Sequence, residues 1–224
     1  MSANDLYVAC IDLRGKRVLV VGGGPIGTEK VLGLLSAHAE VTVVAPDATD
    51  ELRELAASGT ITWQERPYGP TDLDGRFLVI AATGDDELNR EVHRNAEARD
   101  MLVNVADVPN LCNFILPAIS RNGPLAVAIS TNGASPALAK RMRRESDALF
   151  DDAYARLAEL LETLRPWAKR TLPTYADRKA FFEDLVEGDP DPIELLRSGR
   201  EAALVAILER KKLVAAERFS PSVT

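Results

Sequence analysis

A glycine-rich stretch, RVLVVGGGPIGTEK at residues 17–30, most constrains the fold of this chain. A run of apolar, mostly β-branched residues stops at three glycines, and a helical pattern begins a few residues later. Gly22, Gly24 and Gly27 fit the spacing G-x-G-x-x-G. Alone this spacing is also typical of a turn without a ligand, but between a strand and a helix it indicates a dinucleotide-binding turn.

Each glycine of this turn has a separate expected role. Gly22 allows the tight turn, Gly24 lets the backbone approach a pyrophosphate, and Gly27 lets the helix pack close to the strand. Pro25 falls in the first helical turn, where its missing N–H is no loss. The free N–H groups and the positive dipole end of the helix then face the phosphates.

Hydrophobic patterning predicts an α/β fold with a Rossmann-type parallel sheet. A second apolar run at residues 41–45 completes a strand–helix–strand unit. Its near-continuous apolar character suits a parallel sheet that is covered on both faces. Further strands are predicted at residues 60–65, 77–82, 101–106, 112–116 and 125–129, with residues 7–12 along the edge of the sheet.

An acidic residue follows the second strand, just after Pro46. Asp47 either binds the hydroxyls of an adenosine ribose or caps the helix predicted at residues 49–58. No lysine or arginine directly follows the strand to receive a 2′-phosphate. This absence favours NAD over NADP as the cofactor.

Polar residues also follow two later strands, and they are expected at the same edge of the sheet. Thr83 and Gly84 come after residues 77–82, where they are expected in a loop against the cofactor. Asp85 or Asp86 is well placed to cap the next helix, and this simpler role of the loop is compatible with the first. Asp107 comes after residues 101–106. It is either a base or binding group in the cofactor crevice or a turn residue ahead of a proline.

Composition argues against several other classes of protein. The 224 residues suffice for one large domain or two small ones. A net charge of −7, from 27 basic and 34 acidic residues, argues against general nucleic-acid binding. Neither a membrane-span pattern nor a secretion-signal pattern is found, so a cytoplasmic location is expected. Cys10 and Cys112 match no metal or redox spacing, and two buried thiols are expected instead of a disulfide.

The last third of the chain is predicted to be helical. Helices are expected at residues 153–164, 177–186 and 193–213, and a longer helix begins near residue 136. That longer helix carries Lys140, Arg141, Arg143 and Arg144. These cations either form a solvated face or hold an anionic ligand.

A set of motifs lies in order along residues 6–145. They are LRGKRVLVVGGG at 13–24, VTVVAP at 41–46, IAAT at 80–83, NVAD at 104–107, NFILPA at 113–118 and VAISTNGASP at 127–136. Together they resemble the precorrin-2 dehydrogenase family of sirohaem synthesis, which includes the N-terminal half of bacterial sirohaem synthase and its yeast counterpart. The glycine turn is generic, whereas NVAD followed by FILP and STNGASP is specific.

The resemblance implies a homodimer in which each chain has three parts. They are an NAD-binding Rossmann domain at residues 1–117, a small α/β dimerisation region at 118–149 and a helical C-terminal domain at 150–224. It also implies that the protein uses NAD to oxidise precorrin-2, a tetrapyrrole, to sirohydrochlorin. The sequence lacks the methyltransferase half of the bacterial fusion enzymes, so the resemblance implies a stand-alone form.

The resemblance also assigns roles to single residues. Asp107 matches the family's catalytic aspartate. The expected cofactor-binding residues are Gly22, Gly24, Pro25, Ile26, Gly27, Pro46, Asp47 and Thr83. The expected substrate-binding residues are Asn113, Ser130, Thr131 and Arg141, the last because the substrate carries many carboxylates.

Two other functions stay open at the level of sequence. Some family members also insert ferrous iron into sirohydrochlorin, and Asp107 could accept the pyrrole protons. No His/Cys cluster with metal spacing is present, so no protein metal site is expected. A non-enzymatic NAD-sensing regulator would use the glycine turn without a base at Asp107, but the C-terminal helices have no basic DNA-recognition pattern.

Overall fold

The computed structural model describes residues 6–219 and divides into two compact units. The first unit ends at Leu116 and the second begins at Pro117. Each unit has its own cluster of buried apolar side chains. The sequence expects a further division of the second unit at residue 150, and that division stays a prediction.

The first unit is built on a five-stranded parallel sheet. Its strands are β1 (Arg17–Val21), β2 (Glu40–Ala45), β3 (Thr62–Glu65), β4 (Leu78–Ala81) and β5 (Leu102–Val105). They lie in the order β3-β2-β1-β4-β5. The chain builds outward from β1 to β3 and then crosses back to the other side of β1, so the switch point lies between β1 and β4. The predicted Rossmann-type sheet is confirmed.

Helices cover both faces of this sheet. They are α1 (Pro25–Ser36), α2 (Asp50–Ala57) and α3 (Asp86–Glu97). Successive residues of a strand point to opposite faces, so Val18 and Val20 pack with α1 and α2, whereas Leu19 and Val21 pack with α3. All four side chains are buried. This two-sided burial explains why the strand sequence is apolar at every position instead of alternating.

Two predicted strands are wrong. Residues 7–12 form no strand, and Tyr7 and Val8 are largely exposed, so this segment buries too little apolar surface to hold a sheet edge. Residues 112–116 form an irregular segment attached to β5 by single contacts, such as Asn113 N–H to the Val103 carbonyl at 3.0 Å. Pro117 ends that segment, and prolines cannot donate to a strand ladder.

A buried carboxylate closes the loop after β3. Asp72 accepts hydrogen bonds from Arg66 Nη1 at 2.9 Å and from the Gly69 N–H at 2.8 Å, and its side chain is 8% exposed. The hydrogen-bonded Arg66 guanidinium lowers the pKa of Asp72 below its ordinary value. The same loop contains Pro67 and Tyr68, so its closure fixes the positions of these two residues.

Asp72→Asn is expected to lower the free energy of unfolding by about 1–3 kcal/mol at neutral pH, because the charged partner of Arg66 is lost. Since the pKa is lower in the folded chain, the carboxylate stabilises the fold above its ordinary pKa, and this contribution disappears as the pH falls through the folded value. Urea unfolding should therefore show a difference in the free energy of unfolding between wild type and variant that is smaller at about pH 3 than at about pH 7. Asp74→Asn, at an exposed ion pair with Arg99, is the control and should change little. An equal difference in the free energy of unfolding at both pH values would contradict a stabilising role of the Asp72 carboxylate.

The second unit begins with an antiparallel hairpin and continues as helices. The elements are β6 (Ala118–Asn122), β7 (Leu125–Ile129), α4 (Pro136–Leu149), α5 (Asp152–Thr171), α6 (Tyr175–Val186), α7 (Pro192–Arg197) and α8 (Glu201–Phe219). α4 packs on the hairpin, and the later helices share a core that includes Leu164, Phe181, Leu195 and Leu204.

The single helix predicted at residues 193–213 is wrong, because the chain breaks between α7 and α8. Gly199 has a φ of +71°, and its N–H donates to the Leu196 carbonyl at 3.0 Å. Arg200 N–H donates to the Leu195 carbonyl at 2.8 Å. This pattern is a glycine C-terminal cap, for which the sequence Ser198–Gly199 was the available signal.

Over residues 6–219, no helix combines the length and the apolar composition that a membrane crossing requires.

Candidate functional site

Gly22 stands where β1, β2 and β4 end side by side. Its N–H donates to the Val44 carbonyl at 3.0 Å, and its φ is +114°. A Cβ atom on Gly22 would lie 2.4 Å from the carbonyl oxygen of Ala82. Both the backbone conformation and the neighbouring backbone therefore require glycine.

The other glycines of the turn differ in what surrounds them. A Cβ atom on Gly27 would lie 2.2 Å from the Gly22 carbonyl oxygen, so α1 approaches the turn more closely than any side chain allows. Gly23 is equally crowded, with the Asp47 carbonyl oxygen at 2.2 Å from such an atom. Sequence reasoning gave Gly23 no role, although it lies within the run of three glycines. A Cβ atom on Gly24, by contrast, would meet nothing within 4 Å, so the space beside this residue is open.

The N-terminus of α1 lies directly after this open space. Gly24 is the N-cap residue and supplies no side-chain cap, and Pro25 is at the start of the helix as predicted. The first N–H groups of a helix have no partner within it, and the helix dipole adds positive potential there. Ile26 extends into solvent with 45% exposure. This helix end therefore fits the phosphates of a dinucleotide, because it offers free donors and no side chain at Gly24.

The loop after β2 is fastened to the glycine turn by threonines. Thr49 N–H donates to the Gly23 carbonyl at 2.9 Å, and the hydroxyls of Thr28 and Thr49 are 2.8 Å apart. Thr49 is also the cap of α2, since its hydroxyl accepts from Leu52 N–H at 3.3 Å. The alternative that Asp47 caps α2 is therefore wrong.

The loop after β4 is fixed by a buried amide. Thr83 Oγ1 donates to Asn89 Oδ1 at 2.8 Å, and Asn89 Nδ2 donates back to the Thr83 carbonyl at 3.1 Å. Asp85 caps α3 by accepting from the N–H groups of Glu87 and Leu88, as one of the sequence alternatives predicts. Because Asn89 uses both ends of its amide, Thr83 keeps a fixed position beside the glycine turn.

These loops surround a cavity of about 430 Å³ at the switch point of the sheet. Of the residues predicted to bind a cofactor, it is lined by Gly22, Gly24, Pro46, Asp47 and Thr83. Pro25, Ile26 and Gly27 are not part of its lining and form the first turn of α1. Ligands of doubly wound sheets bind at this position, beyond the carboxyl ends of the strands.

Tyr68 and Leu88 also line the cavity, and sequence reasoning missed both. The Tyr68 hydroxyl accepts from Asn95 Nδ2 at 3.3 Å, and burial raises the pKa of this tyrosine. The hydroxyl therefore stays protonated at neutral pH. The only local signal was an aromatic residue in the loop Pro67–Tyr68–Gly69–Pro70.

Asp107 lies two residues beyond β5, and it does not line the cavity. The preceding residue, Ala106, donates its N–H to the Ala81 carbonyl at 2.9 Å, which brings the turn beside the end of β4. Asp107 is exposed and has a φ of +61°. Such a left-handed conformation is uncommon for a residue other than glycine, so it identifies the turn as a constrained position.

Cys112 holds the turn that carries Asp107. Its Sγ accepts from Val105 N–H at 3.2 Å and lies 3.3 and 3.4 Å from the carbonyl oxygens of Val105 and Val108. Burial raises the pKa of Cys112, so the thiol keeps the proton that these carbonyls accept. Both cysteines are free thiols, but Cys10 is exposed, so the prediction that both are buried is wrong. The segment that carries Cys10 has no element packed over it in the part of the chain that the structure describes.

Asn113, predicted to bind substrate, uses its side chain within the first unit. Its Oδ1 accepts from Val103 N–H at 2.8 Å, and its Nδ2 donates to the Met101 carbonyl at 2.9 Å and to Glu97 Oε1 at 2.8 Å. These bonds fasten the segment after Cys112 to β5, to the residue that precedes β5 and to the end of α3. A substrate contact through Asn113 stays a prediction.

The remaining predicted substrate residues lie in the second unit, around the start of α4. Ser130 Oγ accepts from Asn132 N–H at 3.0 Å, and Thr131 Oγ1 accepts from Ser135 N–H at 3.0 Å. These bonds shape the turn before α4. Arg141 is 71% exposed and pairs with Glu145 at 2.7 Å.

Within the described part of the chain, no group of three or more His, Cys, Asp or Glu side chains is placed to hold a metal ion.

The fold and the cavity define a Rossmann-type NAD(P)-binding protein, and sequence comparison agrees. Residues 9–118 match a family described as NAD(P)-binding. Residues 122–145 match one described as the central region of sirohaem biosynthesis proteins, and residues 153–211 match the sirohaem synthase dimerisation region. The chain belongs to the precorrin-2 dehydrogenase and sirohaem synthase family.

Individual relatives agree with this assignment. The siroheme synthase of Thioalkalivibrio sulfidiphilus is 42% identical over 207 residues, which are 92% of this chain and 42% of that protein. The siroheme synthase of Pseudomonas aeruginosa is 40% identical over 199 residues, 89% of this chain and 42% of that protein. The solved structure of SirC, a precorrin-2 dehydrogenase, has a TM-score of 0.76 and 30% identity, and the match covers 92% of this chain and 100% of that one.

The matches also concern the length of the chain and the place of its dimerisation region. The chain spans less than half the length of the curated siroheme synthases it matches. The match to the dimerisation region falls on the helices at 153–211, whereas the sequence analysis expects that region at 118–149. The expected placement stays a prediction.

Proposed function

We propose that this chain catalyses the NAD-dependent oxidation of precorrin-2 to sirohydrochlorin. The observation that carries the proposal is the cavity at the switch point, with the glycine turn and the ends of β2 and β4 in its walls. The likeness of the whole SirC chain, a precorrin-2 dehydrogenase, to this protein supports precorrin-2 as the substrate.

Different residues of the chain bind different parts of the cofactor. Gly24 and the N-terminal N–H groups of α1 bind the pyrophosphate, since this helix end has no competing side-chain cap. Asp47 accepts hydrogen bonds from the adenosine ribose hydroxyls, which favours NAD. Thr83, fixed by Asn89, lines the wall of the cavity at the end of β4.

Asp107 acts as the catalytic acid/base of the reaction. Oxidation removes a hydride and a proton from the substrate, and NAD held at the glycine turn would supply the hydride acceptor. Asp107 accepts the proton and then passes it to solvent, to which it is exposed. The left-handed turn held by Cys112 fixes where this carboxylate stands.

Polar and cationic residues of the second unit bind the carboxylates of the tetrapyrrole. Ser130 and Thr131 offer hydroxyls at the start of α4, and Arg141 offers a guanidinium. Arg141 is paired with an exposed glutamate, and exposed ion pairs are weak. A substrate carboxylate can therefore replace Glu145 at this arginine.

A homodimer is supported by exposed apolar residues on α4. Leu138, Met142 and Leu149 are 48%, 42% and 58% exposed, and their spacing puts them along one side of the helix. A second copy of the chain would cover this side. A cytoplasmic location remains a prediction from the sequence.

The direct test is formation of NADH by the purified chain with NAD and precorrin-2. We expect the absorbance of NADH to rise with time, and to stay flat when either precorrin-2 or the protein is omitted. A protein that binds NAD but forms no NADH would contradict the proposal. That result would instead favour an NAD-sensing regulator.

Insertion of ferrous iron into sirohydrochlorin is the second candidate function. It is favoured by the name of the relatives, siroheme synthase, because sirohaem contains iron. The iron would be a substrate, and Asp107 would accept the pyrrole protons that it displaces. The test is an assay with sirohydrochlorin and ferrous iron in the absence of NAD.

A further inference from the structure

An arginine that sequence reasoning overlooked lies beside the expected ribose carboxylate. Arg53, on α2, forms an ion pair through its Nη2 with Asp47 Oδ1. Its Nε donates to the Ala48 carbonyl at 3.0 Å. No cation directly follows β2 in sequence, but the first turn of α2 brings this guanidinium back to the strand end.

The position of Arg53 is fixed by an aromatic platform. Its guanidinium carbon lies 4.9 Å from the centre of the Trp63 ring. Trp63 is itself held in place, since its indole N–H donates to the Ala45 carbonyl at 3.1 Å. A guanidinium stacked in this way keeps its orientation, so it is prepared for an anion at the end of β2.

A carboxylate and a guanidinium at the end of β2 favour the binding of different nucleotides. A carboxylate accepts hydrogen bonds from the 2′- and 3′-hydroxyls of NAD, whereas an arginine pairs with the 2′-phosphate of NADP. Asp47 lines the cavity and its side chain is 86% exposed, and that of Arg53 is 44% exposed. An exposed pair is weak enough for a phosphate to take the guanidinium from the carboxylate.

We propose that Arg53 is a specificity-determining residue that lets this site accept NADP as well as NAD. Asp47 makes NAD the preferred nucleotide, and Arg53 gives the 2′-phosphate of NADP its partner. This inference rests on the proposed cofactor site, but it concerns nucleotide binding alone and needs no tetrapyrrole.

The test is calorimetric titration of the full chain with NAD and with NADP. Wild type is expected to bind both, NAD more tightly. Arg53→Met should weaken NADP binding by about tenfold or more and change NAD binding much less, because one charge-assisted hydrogen-bond partner is removed. Asp47→Asn should shift the preference toward NADP by about tenfold or more.

Arg94→Met is the matched control, because Arg94 also forms an exposed ion pair in the first unit, with Glu87 at 3.2 Å, and does not line the cavity. It should leave both affinities unchanged. Thermal unfolding of each variant separates loss of binding from loss of fold.

Each outcome has one meaning. Equal losses of NAD and NADP in Arg53→Met, or no loss of either, would overturn the role of Arg53 and reduce it to support for the loop. Absence of NADP binding in both wild type and Asp47→Asn would also overturn it. If wild type binds neither nucleotide, the proposed cofactor site itself is wrong. If wild type binds NAD and Arg53→Met has no specific effect on NADP, only the proposed role of Arg53 is wrong.

Discussion

Asp107→Asn is expected to lower kcat for NADH formation by about a hundredfold or more, while the Kd for NAD stays unchanged. An amide has nearly the shape of the carboxylate but cannot accept the proton. Asparagine also tolerates the left-handed backbone, where φ is +61°, so the turn itself should persist. Steady-state kinetics with precorrin-2 and a separate titration with NAD measure the two quantities.

Asp100→Asn is the matched control for this prediction. Asp100 is also exposed and also left-handed, with a φ of +51°, but it precedes β5, whereas Asp107 follows it. The two positions therefore share chemistry and backbone strain and lie at opposite ends of one strand. Equal turnover by wild type and Asp107→Asn would remove Asp107 from the mechanism, and an equal loss in Asp100→Asn would indicate damage to the strand.

Gly24→Val is expected to raise the Kd for NAD by about a hundredfold, since a branched side chain would occupy the space in front of the first N–H groups of α1. The fold should tolerate the change. A Cβ atom at Gly24 meets nothing within 4 Å, and the backbone, with φ −78° and ψ −174°, is extended. The free energy of unfolding should fall by at most about 1 kcal/mol, because valine is a poorer cap than glycine.

Gly33→Ala tests whether position, and not loss of a glycine, causes this effect. Gly33 lies in the interior of α1, and a Cβ atom there also meets nothing within 4 Å. Alanine should stabilise the helix by about 1 kcal/mol and leave NAD binding unchanged. Undiminished NAD binding in Gly24→Val would show that the pyrophosphate does not lie at this helix end.

Features that depend on neighbours in sequence were predictable. The parallel sheet follows from apolar runs of strand length separated by helical patterns, and Asp85 is a cap because it directly precedes its helix. The crowding at Gly27, where a Cβ atom would meet the Gly22 carbonyl, agrees with the glycine spacing. In each case the contact joins residues that lie close along the chain or follows from the regular geometry of strand and helix.

Features that depend on distant segments were not predictable in the same way. Asp47 and Thr49 are both suitable caps, and only the approach of Gly23 and Thr28 explains why Thr49 occupies that position. The edge strand expected at residues 7–12 fails because the side chains of this segment stay exposed. The sequence alone cannot reveal such exposure.

The Rossmann-type sheet, the glycine turn at its first strand and the family of the chain all follow from its amino-acid sequence alone. The completed fold was needed to show that Tyr68 lines the cavity and that Cys112 holds the Asp107 turn. It was also needed to show that Arg53 pairs with Asp47 and lies over the Trp63 ring. The reason is physical. Local patterns fix backbone conformation, whereas the partners of a side chain depend on which loops the completed sheet brings to one edge.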